Sequence, residues 1–289
     1  MKIYEGKVAV VTGAGSGIGR ALAAELAGRG VSLALSDIDT AGLADTATRC
    51  ERIGAPVQQY RLDVADRDAV YRHADEVRED FGGVDLVINN AGVALGAEVA
   101  EMSWADFEWL MNIDFWGVVH GTKAFLPDLI ASGDGHIANL SSVFGFVGVP
   151  TQSAYCAAKF AVRGFTESLR QEMRIAGHPV GVTSVHPGGI KTNIAVNARG
   201  NDGLDLEQVR TSFEKSAWTD AESAAKTILK GVEKNKPRVL IGADARLFDV
   251  VARVVGPRYQ DIGAALARRS GTVDERHAGA AGNASKGLV

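Results

Sequence analysis

Short β-branched apolar runs alternate with longer stretches of helical period along most of this chain. The apolar runs fall at about 8–12, 32–37, 57–62, 84–88, 135–141, 180–186 and 238–241. Between them, helical patterning predicts helices at about 18–29, 40–52, 66–81, 103–131, 153–176 and 221–234, with a loop and helix at about 190–215. Runs such as Val84-Asp-Leu-Val-Ile88 and Val180-Gly-Val-Thr-Ser-Val185 are mostly apolar instead of alternating, as strands covered on both faces should be. The fold class predicted is α/β: a doubly wound parallel sheet of about seven strands with helices on both faces.

Two regions break the pattern. From about Gly189 to Trp218 the periodicity is weak and Arg199-Gly-Asn-Asp-Gly203 intervenes; a long irregular segment inside a compact domain is usually functional or disordered. Beyond the last strand, Leu247-Phe-Asp-Val-Val-Ala-Arg-Val-Val255 reads as an amphipathic helix that residues 258–269 continue after Pro257. The tail from Ser270 is Gly/Ala-rich and polar and is expected to be flexible. The organisation expected is one domain over 1–246, a helical extension over 247–269 and a tail over 270–289.

Composition narrows the function classes. Of 289 residues 46% are hydrophobic, enough for a substantial core, and the net charge of −4 gives no electrostatic case for nucleic acid or an anionic membrane. No apolar run reaches membrane-spanning length. Cys50 and Cys156 are far apart and the six histidines form no cluster, so no catalytic metal is expected. The first strand starts within a few residues of Met1, leaving no room for a leader peptide, and a cytoplasmic location is expected.

The candidate chemistry lies at the strand ends. Lys7-Val-Ala-Val-Val-Thr-Gly-Ala-Gly-Ser-Gly-Ile-Gly19 reads as strand, glycine turn and helix start. Such a turn brings backbone N–H groups and a helix N-terminus to a pyrophosphate. The spacing Gly13-x-x-x-Gly17-x-Gly19 differs from the common G-x-G-x-x-G fingerprint, no Gly-Lys-Ser/Thr follows, and Ala14 excludes a nucleophile elbow at Ser16. The second strand ends in Asp37, about twenty residues on, where a carboxylate accepts ribose hydroxyls and repels a 2′-phosphate. Ser16 and Ile38 carry no compensating charge, which favours NAD over NADP. Tyr155 and Lys159 stand one helical turn apart, and a cation beside a phenol lowers its pKa toward the range of general acid–base catalysis.

Taken in order, Thr12 to Gly19, Asp63, Asn89-Asn-Ala-Gly92, Asn112, Ser142, Tyr155-x-x-x-Lys159 and Pro187-Gly188 with Thr192 resemble the single-domain NAD(P)-dependent short-chain dehydrogenases/reductases, over about Lys7 to Gly242. The resemblance implies a Rossmann fold and a dinucleotide held by Gly13, Ser16, Gly17, Ile18, Gly19, Asp37, Asp63 and Val64. Asn89, Ala91, Gly92, Tyr155, Lys159, Pro187, Gly188, Ile190 and Thr192 would complete that site. It implies a catalytic set of Asn112, Ser142, Tyr155 and Lys159, with Asn112 bending its helix so that its backbone holds a water linked to the lysine. Of the adjacent serines, Ser142 is chosen because the family's serine precedes the tyrosine by thirteen residues. Tyr155 would move the proton, Ser142 would hold the substrate oxygen, and Lys159 would lower the phenol and bond the nicotinamide ribose. The resemblance also makes the 190–218 segment a lid over the substrate.

The loop Val143-Phe-Gly-Phe-Val-Gly-Val-Pro150 supplies apolar surface without a charged anchor, which points to a hydrophobic alcohol or ketone. Phe144, Phe146 and Gln152 join Ser142 and Tyr155 as candidate substrate contacts. The reading is an NAD-dependent secondary-alcohol dehydrogenase or ketoreductase. Its rivals are an NADP-dependent 3-oxoacyl-type reductase, which Asp37 disfavours, and a silent dinucleotide-sensing or scaffold protein on the same fold. A homodimer or homotetramer is the family habit.

Overall fold

The computed structural model describes residues 1–192, 194, 198–200 and 219–269. Its first half reads β1 (Val8–Thr12), α1 (Gly17–Ala27), β2 (Ser32–Asp37), α2 (Thr40–Ile53), β3 (Val57–Arg61), α3 (Arg67–Phe81), β4 (Leu86–Asn89) and the two-residue β5 (Leu95–Gly96). Then come α4 (Trp104–Met111), a π-helical turn (Asn112–Trp116), α5 (Gly117–Ala131), β6 (Gly135–Leu140), a 3-10 turn (Val143–Gly145) and α6 (Ser153–Ile175). The rest comprises β7 (Val180–Pro187), β8 (Arg199–Gly200), α7 (Ala221–Glu233), β9 (Arg238–Ile241), α8 (Ala243–Val254) and α9 (Tyr259–Arg269).

Seven strands form one parallel sheet in the order β3-β2-β1-β4-β6-β7-β9; β5 pairs separately with β8. Side chains alternate across each strand and so feed two cores. Ala9 and Val11 of β1 face Leu22 and Leu26 of α1 and Ile228 of α7 on one side. Val10 faces Val77 of α3, Phe125 and Leu129 of α5 and Leu169 of α6 on the other. A fully buried side chain of Phe125's size contributes about 1.5–3 kcal/mol. Cys50 and Cys156 are both buried and free. The strand order reverses between β1 and β4, and in open parallel sheets the crevice at that point, at the carboxyl ends of the strands, receives ligands.

Two boundaries differ from the sequence expectation. The helical stretch expected at 103–131 is two helices joined by the π-helical turn. The helix expected from Leu247 begins at Ala243, because the chain reverses at Gly242 (φ 97°) and buries Ala245 at once. Arg238 of β9 pairs with Asp249 of α8 at 3.1 Å, which fastens this helix to the sheet. Residues 201–218, most of the expected lid, and the tail from Ser270 lie outside the described residues.

Candidate active site

The glycine loop joins β1 to α1 and is shaped by contacts that only glycine allows. A Cβ on Gly19 would strike the Gly13 carbonyl, and Gly13 has φ 65°, a left-handed conformation open to glycine. Ser16 precedes α1 and makes no side-chain cap bond, so the first N–H groups of the helix have no partner from it. Ile18 packs on the adjoining core. Asp37, at the end of β2, accepts the Gly15 N–H at 2.7 Å and the Asp39 N–H at 2.9 Å. Arg20 braces the loop from behind: it donates to the Gly15 carbonyl, to the Gly42 carbonyl at 3.3 Å and to Thr46 Oγ1 at 3.0 Å, and pairs with Asp45.

The end of β4 closes the other side of the crevice. The Thr12 hydroxyl accepts the N–H groups of Asn90 and Ala91, while Asn90 Nδ2 donates to the Thr12 and Gly13 carbonyls at 2.8 and 3.1 Å. Asn89 does not face the crevice. It is buried behind the sheet, donating to Asn139 Oδ1 at 2.8 Å and Thr122 Oγ1 at 3.2 Å. The expectation that Asn89 touches the dinucleotide is therefore corrected: neighbours in a strand face opposite sides, and Asn90 is the residue joined to the glycine loop. Asp63 is exposed and accepts the Ala65 N–H at 2.9 Å, with Val64 buried after it. After β7, Gly188 lies against Asp244 and donates to the Ile241 carbonyl, and Ile190 is buried. Thr192 reaches the glycine loop, its Cγ2 lying 3.1 Å from where a Gly17 Cβ would stand.

Glycines without room for a Cβ, an unsatisfied helix start and a carboxylate at the next strand end fit a dinucleotide. Gly13, Gly17 and Gly19 would face its pyrophosphate, Asp37 its adenosine ribose, and Thr192 would close the site from above.

Next to this cradle the carboxyl end of β6 and the first turns of α6 bring Ser142, Tyr155 and Lys159 together. Ser142 acts on the Tyr155 phenol, favouring its ionised form, and its hydroxyl accepts the Phe144 N–H at 3.1 Å. Lys159 Nζ stands 5.4 Å from the Tyr155 ring centre. The same ammonium lies 3.0 Å from Asp114 Oδ2 and donates to the Leu140 carbonyl at 3.3 Å. Asp114 is fully buried on the π-helical turn, and its Oδ1 accepts the Val93 N–H at 2.8 Å.

Asn112 is not part of this cluster. It is exposed and lines an open surface depression with Asp66, Trp116 and His120. The helix is distorted where expected, but two residues on a helical turn point to nearly opposite sides, so Asp114 and not Asn112 meets the lysine.

Burial pushes the Tyr155 phenol up; Lys159 pulls it down, Asp114 adds to the rise, and Ser142 opposes it. Lys159 lowers the phenol as expected, but burial outweighs it and the net direction is upward. Burial works against the Lys159 charge as well, but Asp114 and Tyr155 outweigh it and the ammonium is held above its usual range. The neighbouring His186 donates through Nδ1 to the Ser142 carbonyl at 2.9 Å, and burial pushes it down to about 4.

Of the candidate substrate contacts, Phe144 packs edge-on to Tyr155 at 6.1 Å between ring centres. On its other side it lines an apolar cavity of about 410 Å³ with Val147, Val149, Phe248 and Val251, roofed by Ile262 of α9. Tyr259 of α9 accepts the Gly148 N–H at 2.9 Å, pinning the loop to the C-terminal helices. Phe146 points elsewhere: it stacks on His186 at 4.2 Å, with the Arg163 and Arg238 guanidinium groups at 4.8 and 5.0 Å from its ring centre. Its expected substrate contact is corrected, because two cations and a buried ring occupy it. Gln152 precedes α6, its backbone bridged to Ala97, and does not line the cavity.

Comparison with known proteins agrees with this geometry. The short chain dehydrogenase family matches residues 7–203. A Mycobacterium tuberculosis protein named "Putative oxidoreductase SadH" is 56% identical over 266 residues, 92% of this chain and 96% of its own. Estradiol 17-beta-dehydrogenase 11 of Mus musculus is 30% identical, covering 90% of this chain and 84% of its own. A solved short-chain dehydrogenase/reductase from Burkholderia phymatum in complex with NAD superposes with a TM-score of 0.81 at 32% identity, covering 91% of this chain and 96% of its own. The chain belongs to the short-chain dehydrogenase/reductase family.

Proposed function

We propose that the protein interconverts a hydrophobic secondary alcohol and its ketone using NAD, with Tyr155 as the general acid and base. The observation that carries this reading is the gathering of Ser142, Tyr155 and Lys159 beside the glycine cradle, with Phe144 dividing them from an apolar cavity. NAD, when bound, supplies the hydride acceptor in oxidation and the donor in reduction. Ser142 holds the substrate oxygen, and Tyr155 takes the hydroxyl proton in oxidation or returns it in reduction. Lys159 donates one proton to Leu140 and is held by the charge of Asp114, and its remaining donors would serve the nicotinamide ribose hydroxyls.

Preference for NAD over NADP is supported by Asp37 at the strand end, the neutral Ser16 and Ile38, and the commitment of Arg20 to the loop and Asp45. The apolar cavity supports a bulky hydrocarbon substrate instead of a sugar or phosphate ester, and the C-terminal helices then belong to the substrate site. The lid over 190–218, the cytoplasmic location and a homodimer or homotetramer remain part of this reading.

The test is formation of reduced cofactor with a panel of apolar secondary alcohols, offered with NAD and separately with NADP. Turnover with NAD that vanishes in Tyr155→Phe is the expected result. Preference for NADP would overturn the role given to Asp37. NADH binding without turnover on any alcohol or ketone would favour a sensing protein.

A further inference from the structure

A carboxylate sealed from solvent is costly unless cations and donors surround it. Asp114 is such a group: its exposure is 0%, with one hydrogen bond at Oδ1 and one ion pair at Oδ2. Oδ1 accepts the Val93 N–H and Oδ2 forms an ion pair with Lys159 Nζ at 3.0 Å; burial pushes the carboxyl up, while the Lys159 charge and the Val93 N–H favour the carboxylate. The turn that carries it is π-helical, a local cost that helices mostly bear at functional positions. Gly92 adjoins the pair: a Cβ there would lie 3.4 Å from both Asp114 Oδ2 and Lys159 Nζ, contact distance to each.

We infer that Asp114 is a positioning residue that fixes Lys159 and cancels part of its charge, and thereby sets the pH range in which Tyr155 can accept a proton. This inference rests on the Tyr155 chemistry proposed above. With Lys159 alone, loss of the phenol proton would take the cluster from a net charge of +1 to zero. With Asp114 beside the lysine, the same loss takes it from zero to −1. The second step is harder inside a low-dielectric site, so proton abstraction is displaced toward alkaline pH and the neutral phenol, the proton donor for ketone reduction, is kept over a wider range.

The other groups facing Tyr155 do not supply this effect. On α6 itself they are Lys159 and Cys156, whose buried thiol stays protonated. From the end of β6 comes the uncharged Ser142. From β7 comes His186, which meets the Ser142 carbonyl and is kept neutral by burial. On α4, Asp106 pairs with Arg199 at the surface and Glu108 is exposed.

The experiment compares wild type, Asp114→Asn and Asp114→Glu. Asparagine keeps the size and the acceptor for Val93 but removes the charge. The acid limb of kcat/KM for alcohol oxidation should move to lower pH in Asp114→Asn by about one pH unit or more. It should stay near the wild-type position in Asp114→Glu. A uniform fall in kcat with an unmoved limb, or a limb moved upward, overturns the inference and leaves Asp114 a purely structural residue. A second readout does not need a substrate: the phenolate band of Tyr155 in the near ultraviolet, isolated by subtracting Tyr155→Phe, titrated in protein without nucleotide. Its midpoint should fall in Asp114→Asn, and an unchanged midpoint overturns the inference whether or not any alcohol is turned over. If Asp114→Asn does not fold, Asp114→Ser, equally neutral, is titrated in its place with the same expected fall. Absence of turnover in wild type together with a shifted phenolate midpoint would instead count against the proposed reaction alone.

Discussion

The dinucleotide cradle and the reaction end lie side by side at the edge of one sheet, yet they are built from different materials. The cradle is mostly backbone: glycines pressed against carbonyls, a helix start, and the Thr12 and Asn90 bonds that lock β1 to β4. The reaction end is mostly side chains drawn from distant segments: Asp114 on a distorted helix, Ser142 after β6, Tyr155 and Lys159 on α6, and Phe248 and Ile262 on the C-terminal helices. A backbone site is fixed by where glycine is allowed. A side-chain site is fixed by helix phase and packing, so one changed residue can alter its chemistry without altering the fold.

The largest contrast should come from Tyr155→Phe. Removing the phenol beside Ser142 and Lys159 should lower turnover by about 10²–10⁴-fold, the usual worth of a positioned acid or base. The cradle should be untouched, so NADH affinity measured by fluorescence should change little. A parallel loss of affinity would show that the two regions are not separable.

Acid sensitivity should also divide them. The sequence has no histidine before His73, so the β1–α1–β2 part of the cradle has none, whereas His186 supports the Ser142 carbonyl. Its folded pKa is pushed down to about 4 by burial, below an unfolded value of about 6.5. Its contribution is therefore present above about pH 6.5 and is lost as pH falls toward 4, up to about 3 kcal/mol. His73 and His136 are depressed in the same direction, to about 4 and about 3, so His186 accounts for a share of the acid loss. In thermal melts between these pH values, His186→Gln should lose less stability than wild type. Equal slopes would refute the assignment.

This division also explains what could be read from the chain. The seven strands, the glycine loop and the Ser142, Tyr155 and Lys159 set were legible because period, breakers and spacing encode them locally. The break at Asn112–Trp116 was placed on the wrong side chain, since no proline or glycine interrupts Trp104–Trp116 and nothing local reveals the phase after a π-helical turn. The usable signal was an acidic residue, Asp114, between apolar Ile113 and Phe115: a charge inside an apolar helix needs a buried partner. Asn89 and Asn90 could have been separated by strand alternation. Phe146 could not, because its cover comes from Arg238, far along the chain.

On the cradle side, Gly19→Ala tests whether backbone contact alone holds the site. The added methyl would meet the Gly13 carbonyl, a backbone atom that cannot turn aside. The cost should be about 1–3 kcal/mol, seen as a lower melting temperature and weaker NADH binding together. Normal NADH affinity in this variant would mean that α1 can move away from β1 and that the cradle is softer than its contacts imply.

The smallest effect should come from the far wall of the cavity. Phe248→Ala opens the side that α8 presents and leaves Ser142, Tyr155 and Lys159 in place. For a bulky apolar alcohol KM should rise about fivefold, the worth of roughly one buried methylene group. For a small alcohol that does not reach the C-terminal helices KM should not change, and kcat should hold for both, because the lost contact is made equally in the ground and transition states. A rise in KM for small and large alcohols alike would place the cavity outside the substrate path and would make α8 and α9 a structural brace. A rise confined to large alcohols would make the C-terminal helices the part of the molecule that measures substrate length, working on a reaction end whose chemistry they do not touch.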